Sequence, residues 1–363
     1  MTSRRELLKS TVCLAGLGIL DPPFCGQTAA YRKAMFWTKE GADIRCKLCP
    51  RGCLLKSGAT GLCRVRKNDN GTLITLGYSD PCAVHVDPIE KKPLYHVLPG
   101  AKAFSIAVAG CTLKCKNCQN YTISQASPLE TENFDLPPQK VISEAKSNGC
   151  TTIAFTYSEP FAWYEYLYDT AKLAKKAGLK NLIITSGYVN QDPLKELAPY
   201  IDAANINIKS FSDEIYGKLN AGKLQPVLDT VLLAKKMGIW LELGNLVVPQ
   251  WTDDMNMIRS LCQWIHDKIG PQTPMHFLRF SPLYQLAHLY PTPTDTLLAA
   301  KKTARDVGLN YVYLGNVAGV DCNTYCGKCR KMVLKRDGYL IEENNIKNGT
   351  CGFCGNSIPG IWG

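Results

Sequence analysis

The chain has 363 residues, of which 45% are hydrophobic and 20% charged, with 17 cysteines and a formal net charge of +11 at pH 7. These values predict a soluble globular protein with one large domain and small appendages, and the longest apolar run is too short to span a membrane. The charge does not by itself predict nucleic-acid binding, because thiolates in metal sites would offset about half of it. The paired lysines along the chain are typical of solvated helix faces.

Residues 1–30 have the pattern of a twin-arginine export leader. The segment SRRELLKS at 3–10 precedes a short apolar stretch at 11–20, and small residues follow at 28–30. The alternative is a basic N-terminus without export. Because the twin-arginine route carries folded proteins, the pattern predicts cofactor assembly in the cytoplasm and then export to the periplasm or cell exterior. We exclude this leader from the fold.

Residues 31–100 form an N-terminal cysteine-rich module and lead-in. Its four cysteines have the spacing C-x2-C-x3-C-x9-C, and they are Cys46, Cys49, Cys53 and Cys63. Cysteines in such groups favour a metal site over a disulfide framework. Tetrahedral zinc is the favoured occupant, and an auxiliary [4Fe–4S] cluster is the alternative.

Residues 101–320 alternate between helical stretches and short apolar runs. Four times a helical stretch ends in glycine before a β-branched run, at Gly149, Gly178, Gly238 and Gly308. Further strands are predicted near 103–110, 203–211 and 275–282. Six or seven alternating strands indicate a parallel sheet. We predict an α/β fold with a partial (β/α)6-type TIM barrel, because a complete eightfold barrel needs about 250 residues. An open doubly wound sheet is the alternative.

Three cysteines directly follow the first barrel strand, in the segment VAGCTLKCKNCQNY at 108–121. They are Cys111, Cys115 and Cys118. Three thiolates hold three irons of a [4Fe–4S] cluster and leave the fourth iron open, as a catalytic rather than a structural centre requires. The alternative is a four-thiolate site completed by Cys82 or Cys150.

Residues 321–363 contain two C-x2-C pairs separated by a β-prone segment. The four cysteines are Cys326, Cys329, Cys351 and Cys354. The arrangement predicts a zinc-ribbon-like module, in which the metal supplies folding energy that so short a segment lacks. An auxiliary cluster is the second interpretation.

The C-x3-C-x2-C loop after a barrel strand resembles the radical S-adenosylmethionine (SAM) superfamily. Further motifs resemble the AmmeMemoRadiSam system radical SAM proteins, which are related to pyruvate formate-lyase activating enzymes. They are AVHVDPIEKKPLYHVLPG at 83–100, GCTLKCKNCQNYTISQ at 110–125, FTYSEP at 155–160, GNLVVP at 244–249 and SIPGIWG at 357–363. The resemblance implies an enzyme that reductively cleaves SAM at a [4Fe–4S] cluster. The resulting 5′-deoxyadenosyl radical would abstract hydrogen from an unidentified substrate.

The same resemblance implies which residues would bind SAM. Glu159 matches the glutamate of the activating enzymes' Gly-Gly-Glu-Pro motif, with Tyr157 and Ser158 in place of the two glycines. A helix N-cap is the alternative role for Glu159. Asn207-Ile208-Lys209 stands where the activating enzymes have an Asp-Leu-Lys segment that touches the SAM carboxylate and ribose, so the lysine is kept and the aspartate is lost. The alternative role for Lys209 is that of an end-of-strand lysine whose ammonium extends to solvent. Ser186 and Gly187 follow the next strand and are also candidates for contact with the ligand.

The alternatives differ in the partners that they imply. A glycyl-radical-enzyme activase would act on a protein backbone, and it shares every SAM-site residue with the leading hypothesis. A zinc-ribbon nucleic-acid-binding protein is the remote alternative, and it would contain no iron. The leading hypothesis needs an electron donor of flavodoxin or ferredoxin type, and the resemblance suggests a Memo-like or AMMECR-like protein partner. The leading hypothesis includes neither a nucleic acid nor a membrane as a partner.

Overall fold

The structure is a computed structural model that describes residues 31–363, and the predicted leader lies outside the described residues. The N-terminal module contains two antiparallel three-stranded sheets, ordered β1-β6-β5 and β2-β3-β4. Their strands are β1 (Arg32–Lys33), β2 (Trp37–Glu40), β3 (Asp43–Cys46), β4 (Leu54–Leu55), β5 (Arg66–Asp69) and β6 (Thr72–Thr75). Asn70 and Gly71 both have positive φ and join β5 to β6, as is usual for an Asn-Gly hairpin.

The central sheet has eight strands in unbroken sequence order, from β14 at one edge to β7 at the other. The strands are β7 (Ala83–Pro88), β8 (Lys102–Ala107), β9 (Thr152–Phe155), β10 (Lys180–Thr185), β11 (Ala203–Asn207), β12 (Trp240–Val247), β13 (Met275–Arg279) and β14 (Val312–Gly315). The seven strands β8–β14 are parallel. Sequential order is that of a barrel, whereas a doubly wound sheet reverses at a switch point. The partial barrel is therefore confirmed. Strand β7, which pairs antiparallel with β8, was not predicted.

Helices connect the parallel strands. They are α1 (Tyr121–Ser124), α2 (Pro138–Ser147), α3 (Tyr164–Lys176), α4 (Gln191–Leu197), α5 (Asp213–Asn220), α6 (Gln225–Lys236), α7 (Met255–Lys268) and α8 (Thr294–Asp306). The four glycines predicted to end helices follow α2, α3, α6 and α8, all with positive φ, as a left-handed C′ residue requires. Within residues 31–363, no helix has both the length and the apolar character needed to cross a bilayer.

A buried ion pair joins the N-terminal module to the barrel. Arg66 Nη2 lies 2.7 Å from Glu165 Oε1 on α3, and the two side chains are 1% and 2% exposed. The same carboxylate oxygen accepts a hydrogen bond from the backbone N–H of Met35 at 2.7 Å. Loss of one partner of such a pair leaves an uncompensated buried charge. The pair therefore fixes the module's position on α3.

The C-terminal module packs against the segment that leads into the barrel. Its strands are β15 (Thr324–Tyr325), β16 (Met332–Asp337), β17 (Leu340–Asn344), β18 (Ile346–Lys347) and β19 (Thr350–Cys351). Strands β16 and β17 form the antiparallel hairpin that the β-prone segment predicted. The closing residues pair with the lead-in, because Ile361 N–H donates to His96 O and Leu98 N–H donates to Ile361 O, both at 2.7 Å.

A buried polar network lies where the lead-in meets β12–β14. The Glu242 carboxylate accepts from the backbone N–H groups of Tyr95 and His96, at 2.9 and 2.7 Å, and lies 2.7 Å from His276 Nε2. His96 Nε2 lies 2.7 Å from the Tyr313 hydroxyl, and its Nδ1 lies 2.6 Å from Pro359 O. His96 is thus a hydrogen-bonded interior histidine.

This network predicts a pH-dependent melting temperature. Burial lowers the pKa of His96 to about 4, whereas the pKa of histidine in an unfolded chain is about 6.5. The unfolded state therefore binds more protons between these values, and stability present above pH 6.5 is lost as the pH falls towards 4. Protonation linked to His96 should lower the free energy of unfolding by about 2 kcal/mol between pH 7 and pH 5. His96→Asn should show a smaller fall in melting temperature over this interval than wild type. His288→Asn, at an exposed histidine, is the control and should keep the full fall; equal pH dependence in His96→Asn and wild type would contradict the assignment.

Candidate active site

A cavity of about 860 Å³ opens at the carboxyl ends of the parallel strands, where barrel enzymes bind their ligands. The predicted site residues that line it are Cys111, Cys115 and Cys118 after β8, Ser158 and Glu159 after β9, Ser186 after β10, and Asn207 and Lys209 at and after the end of β11. Five of the six predicted SAM-site residues therefore share one cavity with the three loop cysteines. This volume lies within the usual range of small-molecule sites.

Contacts with two neighbouring elements fix the cysteine loop. Lys114 N–H donates to Asn220 O at 3.1 Å and Lys116 N–H donates to Leu219 O at 2.9 Å, both at the end of α5. Gly110 has φ +108°, and a Cβ there would lie 2.6 Å from Cys63 O. The loop therefore needs glycine where it leaves β8, because it packs directly on the N-terminal module.

The three loop thiols suit a cationic iron centre. Burial raises the pKa of Cys111, Cys115 and Cys118, and the Lys209 ammonium counteracts this at Cys115 and Cys118. Buried thiolates are costly unless positive charge compensates them, and iron provides such charge. The donor set therefore fits a [4Fe–4S] cluster.

The cysteines proposed as alternative fourth ligands lie elsewhere. Neither Cys82 nor Cys150 is among the described residues that line the cavity. Cys82 Sγ lies 3.5 Å from Ala107 O. Cys322 does line the cavity, from the side of the C-terminal module, where its Sγ lies 3.9 Å from Arg336 O. The loop itself thus brings three cysteines to the cavity.

The Glu159 carboxylate is buried and accepts four hydrogen bonds. Oε1 accepts from the Thr185 hydroxyl at 2.6 Å and from Phe161 N–H at 3.3 Å. Oε2 accepts from the backbone N–H and the hydroxyl of Ser186, at 2.9 and 2.5 Å. The bond to Phe161 caps a short 3-10 helix. Glu159 therefore has the helix-cap role that was the alternative, and it also lines the cavity. A carboxylate offers about four acceptor sites; a ligand amine would therefore replace a hydroxyl such as that of Ser186.

The other predicted residues differ in their surroundings. The Ser158 hydroxyl donates to Val108 O at 2.5 Å and accepts from Trp163 Nε1 at 3.1 Å. Asn207 Nδ2 donates to Asn205 Oδ1 at 3.0 Å. Gly187 is not one of the described cavity-lining residues, since a Cβ on it would face Ile206 and Val227 instead. The structure thus brings Asn207 and Lys209, but not Gly187, to the cavity.

A polar cluster on the cavity wall was not predicted as part of the site. Lys92 and Tyr157 both line the cavity, and both donate to Asp87 Oδ2. The Lys92 ammonium lies 4.5 Å from the centre of the Tyr157 ring, and burial lowers the pKa of Lys92 to about 8. The missed signal is the edge strand β7, which places Asp87 beside β8 and brings this cluster to the site.

The two cysteine quartets have different geometries. In the C-terminal quartet, one sulfur from each of the four cysteines lies within 4.8 Å of the others. The pairs Cys326–Cys354 and Cys329–Cys351 are each separated by 3.7 Å between Sγ atoms. The N-terminal quartet lines a separate small cavity together with Arg51, Arg66 and Thr112.

A sequence-family comparison matches this site. The model for the radical SAM superfamily matches residues 105–261, which include the loop cysteines, Glu159 and Lys209. The chain belongs to the radical SAM superfamily. It is 41% identical over 333 residues to an uncharacterized protein of Methanocaldococcus jannaschii, covering 90% of this chain and 98% of that protein.

Other relatives match the central region. The chain is 28% identical over 162 residues to the pyruvate formate-lyase-activating enzyme of Clostridium pasteurianum, covering 43% of this chain and 66% of that enzyme. A radical SAM methyltransferase from Sphaerobacter thermophilus matches with a TM-score of 0.49 and 14% identity, covering 63% of this chain and 70% of that structure. This radical SAM protein is an enzyme with activating-enzyme homologues, and its family implies a [4Fe–4S] cluster and SAM.

Proposed function

We propose that this radical SAM enzyme reductively cleaves SAM and uses the resulting radical to abstract hydrogen from a substrate that also occupies the cavity. One observation supports this most strongly: the three loop cysteines, Glu159 and Lys209 line the same cavity. When bound, the cluster and SAM supply one-electron cleavage of the sulfonium group and a 5′-deoxyadenosyl radical. The chain's own residues bind and orient the reactants.

Charge explains which part of SAM each residue would hold. Glu159 is 2% exposed, and its carboxylate would accept hydrogen bonds from the N–H groups of the SAM amine. The Lys209 ammonium would pair with the SAM carboxylate from the end of β11. The Ser186 hydroxyl, which now donates to Glu159, would turn to another acceptor when the amine binds. Charge-assisted bonds of this kind are about twice as strong as neutral ones.

Anaerobic incubation with dithionite and SAM tests this function. Iron-loaded protein should release 5′-deoxyadenosine and methionine in equal amounts. No release from protein whose iron and sulfide contents are complete would contradict the proposal. Flavodoxin or ferredoxin, as physiological classes of electron donor, should replace dithionite in the same assay.

We further infer that the chain is an AmmeMemoRadiSam system protein. Its motif at 83–100 forms strand β7 and the lead-in, and its closing motif at 357–363 pairs with that lead-in. The two motifs therefore belong to one structural unit, and their occurrence together supports the assignment to this family. A Memo-like or AMMECR-like protein is the corresponding partner, and co-purification at defined stoichiometry would test it.

The export leader is a separate part of the proposal. We propose that residues 1–30, which lie outside the described residues, direct twin-arginine export after cofactor assembly. Replacing both Arg4 and Arg5 with lysine should keep the protein in the cytoplasmic fraction. Unchanged distribution between cell fractions would contradict an arginine-dependent leader.

A glycyl-radical-enzyme activase is the second candidate, favoured by similarity to the pyruvate formate-lyase activating enzymes. Its substrate would be a backbone glycine of another protein. Incubation with a glycyl-radical enzyme and SAM should then give a doublet radical signal in electron paramagnetic resonance. SAM cleavage without this signal would favour another substrate.

We propose that the C-terminal quartet binds structural zinc. Four thiolates around one zinc ion at about 2.3 Å lie about 3.8 Å apart, which agrees with the observed 3.7 Å separations. Cys329→Ser should remove about one zinc per chain and lower the melting temperature, because zinc stabilises so small a module. Elemental analysis and thermal melting measure both effects. Cys262→Ser, at a buried cysteine of α7, is the control and should keep its zinc; a Cys329→Ser protein that also keeps its zinc would refute the site.

A further inference from the structure

The N-terminal quartet surrounds a small cavity between the module and the barrel. Cys46, Cys49 and Cys63 are each 8% exposed, and Cys53 completes the lining. Cys46 N–H donates to Cys53 O at 2.9 Å, which ties the end of β3 to the loop before β4. All four cysteines therefore line one small cavity.

Sulfur spacing separates this site from the C-terminal one. Across residues 31–363, only the C-terminal quartet brings the ligand atoms of three or more His, Cys, Asp or Glu residues within 4.8 Å of one another. The N-terminal sulfurs are therefore spread more widely, as are those of Cys111, Cys115 and Cys118. A single zinc ion draws its four sulfurs to separations of about 3.8 Å. A [4Fe–4S] cube binds each cysteine through a different iron, so its ligands lie further apart.

Buried positive charge faces the same cavity. Arg66 lines it, and Arg66 Nη1 lies 3.8 Å from Cys46 Sγ. Its Nε is buried and has no hydrogen-bond partner among the described residues. Glu165 balances the charge of the Arg66 guanidinium, so the pair adds no net charge. The guanidinium nevertheless places a hydrogen-bond donor, Nη1, beside Cys46 Sγ. A hydrogen bond to a ligand sulfur lowers the energy of an anionic cluster and adjusts its reduction potential.

The cavity shares a wall with the candidate active site. Thr112 lines the quartet cavity, whereas the adjacent Cys111 lines the large one. Arg51, which also faces the quartet, donates through Nε to Thr112 O at 3.0 Å. The two cavities are thus lined by consecutive residues of the cysteine loop. Zinc has no redox chemistry, so this adjacency favours a redox-active occupant.

We propose that Cys46, Cys49, Cys53 and Cys63 bind a second [4Fe–4S] cluster with one cysteine on each iron. This replaces the zinc that the spacing in sequence favoured. A cluster with four thiolates has no open iron for SAM, so its chemical role is to hold one electron. The proposal concerns a site other than that of the proposed function.

The experiment uses the full chain with Cys111, Cys115 and Cys118 all replaced by alanine, prepared anaerobically. This variant lacks the loop ligands, so any remaining cluster belongs elsewhere. The expected content is about four irons, about four sulfides and about one zinc per chain, against about eight irons in wild type. After dithionite reduction, the variant should show the paramagnetic signal of a reduced [4Fe–4S] cluster. A variant with about two zincs and no iron would overturn the proposal.

Two further substitutions in that background assign the remaining iron. Cys49→Ser should abolish it, whereas the matched change Cys329→Ser should leave the iron in place and remove the zinc. Iron that persists unchanged after Cys49→Ser would also overturn the proposal. If Cys49→Ser does not fold, the metal count of the triple variant decides the question alone. SAM cleavage by wild type is a separate readout, so failure of the proposed function remains distinguishable.

Discussion

Cys118→Ala is expected to abolish 5′-deoxyadenosine formation. The loop brings three cysteines to the cavity, and if they hold the cluster as proposed, removal of one would leave too few ligands for it. Release should fall below detection, and the iron content should fall by about four per chain. Both quantities are measured on anaerobically prepared protein with dithionite as reductant.

Cys82→Ala is the matched control for this change. Cys82 was an alternative fourth ligand in the sequence, but its sulfur contacts Ala107 O and is not part of the described cavity lining. This variant should keep its iron and its activity. Activity in Cys118→Ala close to that of wild type, or loss of iron in Cys82→Ala, would contradict the assignment of the loop as the ligand set.

Glu159→Gln is expected to weaken SAM binding by about 10- to 100-fold. A hydrogen bond to a charged group contributes about 1.5–3 kcal/mol, which corresponds to this range. Glutamine has nearly the same shape, its carbonyl oxygen can still accept from Ser186 N–H, and the Thr185 hydroxyl can accept from its amide group. The pocket should therefore persist, while the anionic acceptor for the N–H groups of the amine is lost. Anaerobic equilibrium dialysis with labelled SAM measures the affinity.

Glu90→Gln separates this effect from a general change in cavity charge. Glu90 is also a buried carboxyl group of the cavity lining, where its Oε1 accepts from Gly100 N–H at 2.9 Å. Its substitution should change SAM affinity by less than about threefold. Equal losses in the two variants would show that Glu159 has no specific role in binding the amine.

Local patterns in the sequence predicted the barrel well. Glycines after helices and apolar β-branched runs are both properties of near neighbours, so Gly149, Gly178, Gly238 and Gly308 could be interpreted without tertiary information. The same holds for the loop cysteines, because a residue directly after a parallel strand lies at the ligand-binding edge. Gly187 follows a strand too, but a Cβ added to it would meet Ile206, and position in sequence does not specify that direction.

Features that depend on distant contacts were missed. Asp87, Lys92 and Tyr157 meet only because β7 pairs antiparallel with β8, and long-range pairing has no local signature. Tyr157 also has φ +63°, where the activating enzymes have glycine; such a strained residue is found where surrounding structure holds it, often in functional sites. The docking of the C-terminal module through Arg336, which donates to Tyr95 O at 2.8 Å, likewise links residues far apart in the chain.

Electron–nuclear double resonance on the reduced protein with SAM labelled with 15N at its amine tests the central claim most directly. If Cys111, Cys115 and Cys118 leave one iron open, the amine binds that iron and the spectrum shows a 15N coupling. Unlabelled SAM is the control and should give no such feature. A spectrum without 15N coupling, from protein shown to have SAM bound, would contradict the account of this site.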